Sequence, residues 1–198
     1  MNKTILQELR HHSPFTMFGA LTGILIMLFC QNLSQSTAHT IFYIFHPIHV
    51  LLSALVTAVI YKKYQCDKNV KKCNIGMLLF VGYLGSVGIA TLSDSLIPYI
   101  AEILLGLPNK GIHLGFIEKW WLVNPLAIIG IALAYFRPST HFPHAAHVLL
   151  STWASLFHII MAMDHSLNVI GYIIIFIFLF LAVWLPCCLS DIIFPLLF

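Results

Sequence analysis

The chain reads as an all-α integral membrane protein: six transmembrane helices built as a 3+3 inverted-topology repeat, with both termini cytoplasmic. Three observations predict this. First, 60% of the 198 residues are hydrophobic and 9% are charged, with a mean hydropathy of +0.92. Soluble domains carry about a quarter charged residues. Second, the apolar stretches come at spanning length, roughly 20 residues each. Third, a histidine motif and an aspartate motif each occur twice, at nearly one offset. The composition excludes a soluble enzyme, a nucleic-acid binder and a disordered chain.

The spans fall at 15–32, 40–61, 75–104, 119–136, 144–163 and 168–197. For the first, Ser13 is the expected N-cap and Pro14 the first helical residue, with His11 and His12 ahead of it. The second follows His39 and carries His46, His49, Ser53 and Thr57. The third has Gly82, Gly85 and Gly88 at three-residue steps, a small-residue face for close helix approach, and ends near Asp94 and Pro98. The fourth opens on Glu118, Lys119, Trp120 and Trp121, an interface belt just after His113. The fifth follows His141 and carries His144, His147, Ser151 and Ser155, with His158, Asp164 and His165 towards its far end. The sixth ends on Cys187, Cys188 and Asp191.

Charge orients the bundle. Lys62, Lys63, Lys68, Lys71 and Lys72 share one loop with a single acid, Asp67. Six spans put that loop on the same side as Lys3, Arg10 and Arg137, leaving only Lys110 and Lys119 opposite. The positive side is cytoplasmic. The start of the chain lacks the pattern of a cleavable signal. A bacterial inner membrane is the expected location. The five cysteines are odd in number and read as reduced thiols rather than a disulfide framework; a soft-metal pair at Cys66 and Cys73 is the less favoured alternative.

The chain carries an internal duplication. His46-Pro-Ile-His49-Val-Leu-Leu-Ser53 recurs as His144-Ala-Ala-His147-Val-Leu-Leu-Ser151, with six of eight residues identical at an offset of 98. Leu92-Ser93-Asp94 with Pro98 recurs as Leu189-Ser190-Asp191 with Pro195, at an offset of 97. This divides the chain into repeats at 1–106 and 107–198. Three spans per repeat force opposite orientations on the two copies, a plan common in secondary transporters.

The repeated polar residues supply the chemistry. His46 and His49 sit one turn apart on one helix face, and Ser53 and Thr57 extend that stripe. His144, His147, Ser151 and Ser155 trace the same stripe in the other repeat. Polar groups are costly against hydrocarbon, so both stripes face inward. Asp94 and Asp191 are the acids expected in the apolar zone. Each precedes a proline by four residues, which frees a backbone carbonyl beside the carboxylate and suggests a broken helix.

The expected site is therefore His46, His49 and Asp94, with His144, His147 and Asp191 as its pseudo-symmetric counterpart, supported by Ser53, Ser93, Ser151 and Ser190. Imidazole and carboxylate suit a divalent ion of the zinc, manganese or iron class. Because protons compete for the same atoms, proton exchange is a natural driving cycle. The leading expectation is a transporter for such a cation. The alternatives are a haem-binding six-helix cytochrome using histidines such as His49 with His147 or His158, an intramembrane metal-dependent enzyme, and a proton-relay transporter of a nonmetal substrate. The expected partners are the metal ion and the lipid bilayer; the small bundle leaves a homodimer open.

Overall fold

A computed structural model describes residues 2–66, 74–136, 141–164 and 166–188, without the side chains of 2–9, 11, 12, 141–144 and 188. The described residues are helical and contain no strand. Among the described residues there are six main helices: α1 (Asn2–Cys30), α2 (Gln35–Tyr61), α3 (Ile75–Leu104), α4 (Trp120–Phe136), α5 (His141–Ala162) and α6 (Val169–Cys188). A single turn, Gly115–Glu118, leads into α4.

Five of these helices are long and apolar enough to cross a membrane, whereas α4 is a shorter apolar helix of 17 residues. The polarity of the bundle is inverted relative to a water-soluble protein. Phe29 is 87% exposed and Val169 74% exposed, while His49, Asp94, His147 and Ser151 are wholly buried. Such an exterior is stable in hydrocarbon and costly in water.

Helix α2 is the centre of the bundle. It packs along α5 on one side and α4 on the other, while α1 lies against α5 and α6. An added Cβ on Gly130 of α4 would run into the Leu51 carbonyl of α2, so only glycine permits this close approach. Side chains tie the rest together. The Tyr83 hydroxyl of α3 donates to Asn124 Oδ1 of α4 at 3.1 Å, and Trp153 Nε1 of α5 donates to Thr22 of α1 at 3.4 Å.

The ends depart from expectation in three places. Helix α1 continues through Pro14 instead of starting there. Proline removes only the N–H that would bond the carbonyl of Arg10, and the helix tolerates that single loss. Helix α2 starts at Gln35, earlier than position 40, because Ser34 Oγ accepts the Thr37 N–H at 3.2 Å and caps it. Its far end runs on through a π-helical turn, Lys62–Cys66. Cys66, partly buried at the end of that turn, is disulfide-bonded, which corrects the expectation of a reduced thiol there. Asp191, Ser190 and Pro195 lie outside the described residues.

The break expected before Pro98 does not form. Helix α3 stays in right-handed helical geometry but contains two π turns, Leu84–Gly88 and Leu92–Leu96. In the second, the Ile97 N–H reaches back five residues to the Leu92 carbonyl. Widening the turn accommodates the missing proline N–H without breaking the rod, and π turns of this kind recur at functional sites. The result places Ser93, Asp94 and Ser95, three consecutive polar residues, all inside the bundle.

Candidate functional site

Asp94 is the hub. His46 and His49, one turn apart on α2, both direct Nδ1 at Asp94 Oδ2, at 2.9 and 2.7 Å. The other carboxylate oxygen accepts the Ser93 hydroxyl at 2.7 Å and the Ser151 hydroxyl of α5 at 2.7 Å. Ser155, one turn further along α5, donates to the Ser93 carbonyl at 2.9 Å. Four donors converge on one carboxylate, so both of its oxygens are hydrogen-bonded within the bundle. An ionised carboxylate only accepts, so each imidazole donates its Nδ1–H to Asp94 and turns Nε2 away from it.

The two Nε2 atoms meet different surroundings. His49 Nε2 is buried and has no hydrogen-bond partner. His46 Nε2 is packed against the backbone of Gly115, where an added Cβ would lie 2.5 Å away. The His46 ring also stacks on Phe42, with centroids 5.2 Å apart. His147 of α5, the counterpart of His49, stacks on the His49 ring with centroids 5.8 Å apart and planes 9° from parallel.

The structure thus brings together His46, His49, Asp94, Ser93, His147 and Ser151 from the expected set. Ser53 is buried on α2 one turn beyond His49. His144 lies on α5 with its side chain outside the description, and Asp191 and Ser190 fall outside it altogether. Asp94 is deeply placed. Its partners stand 11 and 14 residues into α2, about 16–21 Å from the start of that helix.

A second buried pair escaped the sequence reading. His158 Nδ1 of α5 bonds Glu102 Oε1 of α3 at 2.7 Å, with both residues at most 1% exposed. Glu102 Oε2 also accepts the Gly111 N–H at 3.2 Å. His158 Nε2 lies 3.3 Å from Ser95 Oγ, which in turn accepts the His113 N–H at 3.1 Å. Two signals for this pair were present in the chain. His158 continues the stripe of Ser151 and Ser155 at helical spacing, and Glu102 follows Ser95 by seven residues on one face.

Beyond this pair the polar track reaches the surface, in the segment joining α3 to α4. Glu118 accepts the Tyr43 hydroxyl at 2.5 Å, the Leu114 N–H at 3.2 Å and His113 Nδ1 at 3.3 Å. Burial pushes the Glu118 carboxyl up, but the bonds from Tyr43 and His113 outweigh it and hold the group below its ordinary value. Among the described residues, three side chains of metal-binding type bring ligand atoms within 4.8 Å of one another at His39, His113 and Glu118.

In comparison with known proteins, the chain matches no family model, no curated protein and no solved structure.

Proposed function

We propose that this protein is a membrane transporter for a divalent transition-metal cation of the zinc, manganese or iron class. The observation that carries the reading is the double bond from His46 and His49 onto one wholly buried carboxylate, Asp94. Carboxylates that hold imidazoles by Nδ1–H orient Nε2 for metal and raise its basicity. With both imidazoles neutral, the cluster keeps one net negative charge inside the bundle, which a cation would neutralise. In this reading Asp94 is a positioning residue, and His49 Nε2, buried without a hydrogen-bond partner, is the ligand atom it presents. Protons compete with metal for those atoms, which supplies a means of release and of coupling.

The bundle in this reading is a six-span 3+3 inverted repeat, 1–106 and 107–198, in a bacterial inner membrane with both termini cytoplasmic. Its support is the meeting of His49 and His147, equivalent members of the two motifs, across α2 and α5. The packing of α1 on α5 and α6, beside that of α4 on α2 and α3, has the same sense. The second motif, His144, His147 and Asp191, would build the counterpart site. A haem sandwiched between His49 and His147 fits less well. Axial ligands aim their nitrogens at one another across a porphyrin, whereas these rings lie face to face.

The test is metal analysis and an absorption spectrum on detergent-purified protein, followed by metal flux into liposomes. Wild type should hold a divalent metal and support flux, and His49→Ala and Asp94→Asn should hold less metal and lose flux. Metal-free wild type with no flux above empty liposomes overturns the proposal, as does a haem band lost in His49→Ala/His147→Ala.

A further inference from the structure

The geometry points to a second divalent-cation site, separate from the buried cluster, formed by His39, His113 and Glu118 where the segment joining α3 to α4 meets the start of α2. Its role as a loading station for cargo rests on the transport reading; its capacity to bind a metal does not.

His113, in the segment after α3, and Glu118, at the end of the turn before α4, are five residues apart. His39 stands in the second turn of α2 and is remote from both in the chain. The packing of α2 against this segment brings it to the pair. One ligand atom from each already lies within 4.8 Å of the others. Ligands around a tetrahedral zinc ion stand about 3.4 Å apart, so side-chain adjustments of about 1 Å close the site. Two imidazoles and one carboxylate match the donor set of open zinc sites, which leave a fourth position for water or an incoming ligand.

The site is also held and accessible. The Tyr43 hydroxyl and Leu114 N–H fix the Glu118 carboxylate, the supporting contact that metal-ligating carboxylates usually have. The His39 and His113 rings meet edge to face at 5.7 Å. The His113 and Glu118 side chains are 26% and 37% exposed, so an aqueous ion reaches them. Inward, the His113 ring meets His158 at 5.3 Å, and the His113 N–H bonds Ser95, the neighbour of Asp94. A cation held here stands at the surface end of the polar track.

Cobalt(II) is the probe, added to the full chain in detergent and read by its visible d–d bands. Wild type and His49→Ala should both bind cobalt in a low-symmetry site, while His113→Ala and Glu118→Gln should weaken that signal at least tenfold. Bands that persist at full strength in His39→Ala/His113→Ala overturn the inference, as does their absence from wild type. Should a variant fail to fold, wild type alone decides: zinc should protect His113 from diethyl pyrocarbonate, read by peptide mass spectrometry. Equal modification with and without zinc overturns it. Bands that depend on these three residues, together with absent flux, leave this site standing and remove the transport reading alone.

Discussion

His49 and His147 stack with their rings 5.8 Å apart and nearly parallel, and they are separated in the chain by the same 98 residues as the two motif copies. Each residue is wholly buried, so each leaves a void when truncated. His49→Ala and His147→Ala should each destabilise the protein by roughly 2–4 kcal/mol. Because the rings touch, the double variant should depart from the sum by at least about 0.5 kcal/mol. Thermal unfolding in detergent measures this, and additivity would mean that the rings do not share one packing environment.

Asp94 holds four donors, and its replacements separate charge from shape. Asp94→Ala leaves His46, His49, Ser93 and Ser151 without their acceptor. Unsatisfied buried groups cost about 1–3 kcal/mol each, so this variant should be close to unfolding. Asp94→Asn keeps the volume but presents a donor to one pair, and should fold with reduced stability. Its metal affinity should fall by about 10–100-fold, the usual effect of losing a carboxylate that supports a metal-bound histidine. Calorimetric metal titration tests this; unchanged affinity in Asp94→Asn removes the positioning role.

Gly115 sits against His46 although it lies 69 residues away in the chain, and an added Cβ would stand 2.5 Å from Nε2. Gly115→Ala should therefore push the His46 ring off Asp94 at a cost of roughly 1–3 kcal/mol. Gly111→Ala is the control, since its added Cβ would meet only the edge of the His113 ring at 3.4 Å. The expected result is a lower melting temperature and weaker metal binding for Gly115→Ala alone. Two indistinguishable variants would contradict the close approach of Gly115 to His46.

The Glu102–His158 pair is buried and bonded on both carboxylate oxygens. Glu102→Ala should cost about 3–5 kcal/mol, the range for removing one partner of a buried pair. Glu102→Gln keeps one acceptor oxygen, enough for His158 or for the Gly111 N–H but not for both, and should cost less. Chemical unfolding of the two variants checks the order, and a reversal would place the contribution of Glu102 in its charge rather than its acceptors.

The Lys-rich loop and the oxidised Cys66 point to opposite compartments, because disulfides persist where the environment is oxidising. The lysines bias the loop strongly towards the cytoplasm. With the loop cytoplasmic, as proposed, a membrane-impermeant maleimide applied after reduction should label Cys66→Ser and wild type alike from outside and reach Cys66 only once the membrane is opened. Labelling at Cys66 in intact cells would invert the topology.

Much of this architecture was legible in the chain. Helix periodicity and span length marked all six helices, because hydrocarbon demands uninterrupted apolar length. The doubled His-x-x-His motif and the Leu-Ser-Asp motif drew attention to His46, His49 and Asp94, since polar groups repeated inside an apolar span need partners. The pairing of Glu102 with His158 is not visible along the chain, because the two residues stand on different helices whose rotation and register are set by packing. At Pro98 the loss of one N–H is visible in sequence, while the π turn that absorbs it is not.

Composition, span length and the internal repeat by themselves determined a helical protein with an apolar exterior and an inward-facing histidine and aspartate set. Only the tertiary structure decided that both imidazoles turn Nδ1 to one carboxylate, that His147 stacks on His49, and that His39, His113 and Glu118 meet. Those relations depend on how helices are rotated and slid against one another. That is set by close contacts such as Gly130 on Leu51 and Gly115 on His46, whose partners are distant in the chain and carry no signal along it.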